Sequence, residues 1–200
     1  MTRLALFAAA AFALAGLALP SSAAASDWVI DGAHSHVGFK VRHMSVSWTR
    51  GEFGKVDGTI TLDEKNLTKS SVDVTIDLGS VDTENAKRDE HLRSPDFFDT
   101  AQFPTMTFKS TKVSKAKNDA FTVTGDLTLH GVTKSVTLDV EGGLTPVNDP
   151  WGNTKLGFTA TTKIDRKDFG LTWSKTLDGG GLVVGDEVRI ELEIELNQKK

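Results

Sequence analysis

The chain has 200 residues, with 27 Asp and Glu against 23 Lys and Arg and a formal charge of −4. That balance, without a clustered basic segment, gives no support to nucleic-acid binding. The absence of cysteine excludes disulfides, thiolate metal sites, a cysteine nucleophile and a lipidated N-terminal cysteine, so stability has to come from packing.

At the N-terminus, Arg3 precedes an apolar run from Leu4 to Leu19, then Pro20 and the stretch SSAAAS, where Ala23 and Ala25 fit a small-x-small cleavage pattern. The reading is a secretory signal peptide over residues 1–25 and one domain over residues 26–200. A transmembrane anchor is the weaker alternative: the run is Ala-rich, shorter than the roughly 20 residues of a spanning helix, and lacks a stop-transfer charge. The processed protein is expected to carry no transmembrane anchor and to reside in the periplasm, or outside the cell where there is no outer membrane.

From Trp28 onward the dominant period is two, the signature of strands with one dry and one wet face. Val37, Phe39 and Val41 share a face, as do Val56, Ile60 and Leu62, and then Val72, Val74, Ile76 and Leu78. Met106 and Phe108 open the next strand; Phe121, Val123, Leu127 and Leu129 follow, with Gly125 keeping the register. Val136, Leu138 and Val140 lead to Leu156, Phe158, Ala160 and Ile164. In the last strand Val188, Ile190, Leu192, Ile194 and Leu196 oppose Arg189, Glu191, Glu193 and Glu195. About eight strands joined by short turn signals, such as NDPWGN at Asn148 to Asn153, imply an all-β antiparallel meander, either a sandwich or a closed barrel. A membrane barrel is disfavoured by the lack of tyrosine, the charged NQKK terminus and the like-charged wet face of the last strand. The interior of an eight-stranded soluble barrel is either just filled by side chains or just able to hold one slender ligand.

One segment breaks the alternation. VDTENAKRDEHLRS lacks Gly, Pro and β-branched residues from Glu84 to Arg93, which predicts a short helix with Asp82 or Thr83 as N-cap, ending before Pro95. Ala86 and Leu92 are too little apolar surface to anchor it. Ser94 and Pro95 suit the start of a second turn that throws Phe97 and Phe98 toward a common apolar surface, with Phe103 close behind. The segment reads as a polar helix across one barrel end, either an ordinary cap or a gate.

Other chemistry is sparse. His34 and His36 have the spacing of a minimal metal site, but parity turns His36 toward water with Lys40 and Arg42, so no metal is expected. There is no GxSxG elbow, HExxH helix or phosphate-cradling glycine loop, and Gly179 to Gly181 suit a hairpin loop, so no enzyme activity is expected.

The blocks WVIDGAHSHVGFKVRHM, GEFGKVDGTI, NAKRDEHLRSPDFFDTAQFPTMTF, LTLHGVTKSVTLDV and IDRKDFGL together resemble the YceI-like family of polyisoprenoid-binding proteins. The resemblance implies an eight-stranded antiparallel extended lipocalin-like barrel, one short helical insertion capping an end, and a pore for a long isoprenoid of the isoprenyl phosphate or quinone type. It also implies a possible homodimer, and no cofactor other than the bound lipid. Phe39, Val41, Phe53, Met106, Phe108, Phe121, Val123, Leu127, Val136, Leu138, Phe158, Ile164, Ile190 and Leu192 are then the candidate pore residues. His43, which has the parity of Val41, joins Arg88, Asp89, His91, Phe97 and Phe98 as candidates for the headgroup or gate, with Asp89 able to pair with Arg88. The alternatives are a fatty-acid derivative as ligand, an enzyme acting on a lipid headgroup through His91 with Asp89 or Asp96, and a ligand-free structural or stress-related protein.

Overall fold

In a computed structural model, which describes residues 25–115 and 117–200, the alternating segments pair into one antiparallel sheet that closes on itself. The expected leader, residues 1–25, lies outside the described residues except for Ala25.

The first three strand positions are each broken in two. β1 (Ser26–Ile30) and β2 (His36–His43) occupy one position, β3 (Ser47–Phe53) and β4 (Val56–Leu62) the next, and β5 (Ser71–Asp77) with β6 (Val81–Asp82) the third. β4 pairs with β1 and β5, while β3 pairs with β2 and β6, so each pair of segments runs on as one bent strand. β7 (Thr105–Val113), β8 (Ala120–Leu129), β9 (Val132–Asn148), β10 (Thr154–Asp165) and β11 (Val184–Gln198) follow as a meander. β11 closes the ring, pairing with β2 through Glu193 and with β1 through Leu196. The eight expected strands are thus eight positions around a closed barrel, whose closure leaves no long edge.

Period-two patterning puts the apolar residues inside. Trp28 is fully buried with Leu62, Leu156 and Leu196 at one end, and its indole N–H reaches Ser26 Oγ at 2.9 Å. A larger cluster fills the wall toward the other end. Two glycines make room for rings: a Cβ at Gly51 would come 2.5 Å from Phe39, and one at Gly125 2.5 Å from Phe108.

The helix forms later than the composition suggests. It spans Ala86–Arg93 and is capped by Asn85, whose side chain accepts from the Arg88 N–H, rather than by Asp82 or Thr83. Glu84 adopts φ +62° and cannot extend it, Asp82 is engaged in a local turn to the Glu84 N–H, and Thr83 is buried and bonded elsewhere. Beyond Ser94 the chain makes the expected second turn. The Phe97 N–H bonds Ser94 O and the Phe98 N–H bonds Leu92 O. Phe103 packs on His130 at 4.6 Å instead of on the surface shared by Phe97 and Phe98.

Candidate functional site

A cavity of about 290 Å³ lies along the barrel axis, from Phe97 and Leu171 at the helix end to Ile30 and Leu67 toward the other. Every apolar pore candidate named above lines it: Phe39, Val41, Phe53, Met106, Phe108, Phe121, Val123, Leu127, Val136, Leu138, Phe158, Ile164, Ile190 and Leu192. Phe39, Phe53 and Phe98 form a run of rings at 5.5 and 5.7 Å, and Phe121 meets Phe158 edge-on at 6.1 Å. Phe97 and Phe98 also face the void, as does Leu92, so the helix end is closed by apolar groups.

The polar candidates lie elsewhere. His43, Arg88, Asp89 and His91 are not among the lining residues. Arg88 and Asp89 do not pair with each other; both turn to Thr83. The buried Asp89 carboxylate accepts from the Thr83 backbone N–H at 2.9 Å and from its hydroxyl, while Arg88 Nε donates to Thr83 Oγ1 and Nη2 to Thr83 O, each at 2.7 Å. Arg93 does the same one turn on, donating to Gly79 O at 2.8 Å and Val81 O at 2.7 Å. The reason is topological. β7 starts opposite Asp77, so the carbonyls beyond it have no strand partner on that side, and the helix arginines satisfy them. The block RDEHLR is therefore a clamp that replaces a missing stretch of strand. His91 sits above it, 2.8 Å from Asp96 and edge-on to Phe97 and Trp173 at 5.0 and 4.9 Å.

Arg166 is the cavity residue the sequence reading missed. Parity with Ile164 carries it inward, where it is buried and is the one ionisable residue of the lining. All five of its N–H groups are engaged, by the carbonyls of Gly185, Leu171, Trp173 and Val184 and by the Asp186 carboxylate. Burial pushes its pKa below the usual guanidinium value, with Asp186 opposing. It ties the loop after β10 to the start of β11 and has no donor left for a ligand. The signal was available in IDRKDFGL, as a cation at an inward register position.

His34 and His36 do not converge. His36 meets Glu52 at 2.7 Å, whereas His34 lies 3.1 Å from Asp31 and 3.9 Å from Glu195. That trio has the closeness of a cation site, but Lys155 already sits in it, 2.9 Å from Asp31 and bonded to Glu195. The Lys155 hydrogen bond holds the Asp31 carboxyl well below the usual carboxylate range against a desolvation penalty, with His34, Asn197 and Ala33 adding to it.

A closed antiparallel barrel with a lengthwise apolar cavity and one end stoppered by a clamped helix is the architecture of a lipocalin-like binding protein. The YceI-like domain family matches residues 28–196, and the chain belongs to that family. Protein YceI of Escherichia coli O157:H7 is 49% identical over 152 residues, covering 75% of this chain and 78% of that one. The crystal structure of Campylobacter jejuni YCEI protein superposes with a TM-score of 0.68 at 37% identity, over 85% of this chain and 96% of the other. A polyisoprenoid binding domain from Saccharophagus degradans superposes with a TM-score of 0.62 at 18% identity, over 86% and 98% of the two chains, a likeness that shows the fold alone.

Proposed function

We propose that this protein is a binding protein, not an enzyme, that holds a long-chain isoprenoid of the isoprenyl phosphate or quinone type in its barrel and carries or stores it outside the cytoplasm. The carrying observation is the lining: a lengthwise void whose one ionisable residue, Arg166, has every N–H engaged. Each methylene moved from water into such a wall contributes about 0.8 kcal/mol, so a long chain binds without polar contacts. A charged headgroup drawn inside would find no free cation, only the hydroxyls of Ser70 and Thr162, which is costly, so the charged end stays at a mouth. A free fatty acid inserted carboxylate first is disfavoured on the same ground. The family and the name of the Saccharophagus degradans domain support an isoprenoid. The leader-like N-terminus supports export.

The test is gentle purification, organic extraction and mass spectrometry. A polyprenyl lipid near one per protein is expected. Recovery of only fatty-acid derivatives would move the assignment to that class, and recovery of no lipid, with none taken up on incubation, would leave a ligand-free barrel.

A further inference from the structure

We infer that the hairpin of β2 and β3, with the outer wall beside it, is a docking surface for an anionic phospholipid bilayer. Four cations stand directly opposite one another across four neighbouring strands: Lys163 of β10 faces Arg189 of β11, Arg189 faces Lys40 of β2, and Lys40 faces Arg50 of β3. Like charges directly opposite on a sheet repel, so packing alone does not account for the row. Glu187 answers Lys163 and Arg189 at 3.8 and 2.9 Å, and Glu191 answers Lys40. Arg50 makes no ion pair among the described residues. Two residues farther toward the hairpin tip, on the same face, Arg42 faces Trp48, and the guanidiniums of Arg42 and Arg189 lie 4.3 and 4.7 Å from its ring.

At the tip the chemistry changes. The loop between His43 and Ser47 carries Met44, 41% exposed, and Val46, 80% exposed, which with Val147 and Trp151 are the exposed large hydrophobics among the described residues. Exposed apolar side chains at a tip, with a collar of Arg, Lys and Trp behind them, match a lipid interface: the tip enters the acyl boundary and the collar meets the phosphates. On β11 the acids Glu191, Glu193 and Glu195 lie farther from the tip than the row, whereas Asp186 and Glu187 lie nearer and are paired with Arg166 and Lys167 and with Lys163 and Arg189. The hairpin end of the barrel also carries the clamped helix and the apolar side chains that stopper the cavity. The preference for a bilayer over an acidic protein rests partly on the lipid-binding reading, whereas the basic row and exposed tip stand without it.

The experiment is co-sedimentation of the purified protein with vesicles of equal parts phosphatidylcholine and phosphatidylglycerol, compared with phosphatidylcholine alone, over a range of salt. Selective binding to the anionic vesicles that weakens with salt is expected. Arg50→Glu should lower the partition about tenfold, and the double variant Met44→Ser, Val46→Ser should weaken it at every salt concentration. Both variants should retain the wild-type circular dichroism and co-purifying lipid, so failure of docking is separable from failure of the lipid-binding reading. Absence of wild-type binding at low salt, or binding that both variants leave unchanged, overturns the proposal. Retention on immobilised polyglutamate without vesicle binding indicates a soluble acidic partner and overturns it too. So does a concentration-dependent dimer abolished by Arg50→Glu without vesicle binding, which places a second copy on the row.

Discussion

The carboxylate of Asp89 takes both the backbone N–H and the hydroxyl of Thr83, and all of these groups are buried. This contact, with Arg88 and Arg93 on the neighbouring carbonyls, holds a helix that has almost no apolar face. Replacing Asp89 with Ala leaves two buried donors without an acceptor, a loss of about 1–3 kcal/mol for each such group. A fall of that size in the urea-derived stability is expected, together with faster loss of bound lipid. Unchanged stability would show that the clamp is incidental.

Phe98 faces the void and stacks toward Phe53 at 5.7 Å, yet is only partly buried. Phe98→Ala opens the stopper without disturbing the clamp. Lipid dissociation, followed by transfer to acceptor vesicles, should speed up severalfold, with a stability loss below the about 3–5 kcal/mol of a fully buried Phe→Ala change. Equal dissociation rates in the variant and the wild type would locate the exit elsewhere.

Arg166→Met removes five donors from one buried junction. Four carbonyls lose a partner and Asp186 loses its buried cation, so destabilisation of about 3–5 kcal/mol is expected. Arg166→Lys should recover only part of it, because an ammonium cannot match the planar fork. Full rescue by Lys in denaturant titrations would contradict the bracing role.

Phe158 points inward from the middle of β10, edge-on to Phe121. Phe158→Arg places an unpaired charge on the apolar wall and should abolish lipid binding or folding. A variant that folds and co-purifies with normal amounts of lipid would reverse the inside-outside assignment of that strand.

Asp31 titrates well below its ordinary value of 3.8, chiefly through Lys155. A carboxylate whose pKa is depressed on folding stabilises the fold above the unfolded pKa, and that contribution is lost as pH falls through the acid range below about 4. Asp31→Asn should therefore lower stability at neutral pH and flatten the acid limb of the stability–pH curve. The two proteins should converge in the acid range, as measured by thermal unfolding from neutral pH downward.

How much of this was legible in the sequence varied with how local the cause was. The inward set from Phe39 to Leu192 could be read directly, because side-chain direction on a strand has period two and needs no knowledge of the partner. The helix was legible as a segment but not at its start, because Thr83 is withdrawn from capping by Asp89 and Arg88 on the helix itself. Arg88 and Asp89 looked like headgroup or surface residues, since nothing local announces that β7 begins too late to cover the carbonyls near them.

By itself, the sequence determined that the chain forms half-apolar strands, joins them in order and interrupts them once, since alternation, turn residues and proline act within a few positions. Only the tertiary structure decided that the strands close around a void, that Arg166 braces its rim, and that four cations on separate strands form one row. Those outcomes depend on register and closure between segments far apart in the chain, where a shift of one residue exchanges the inside of the barrel for the outside.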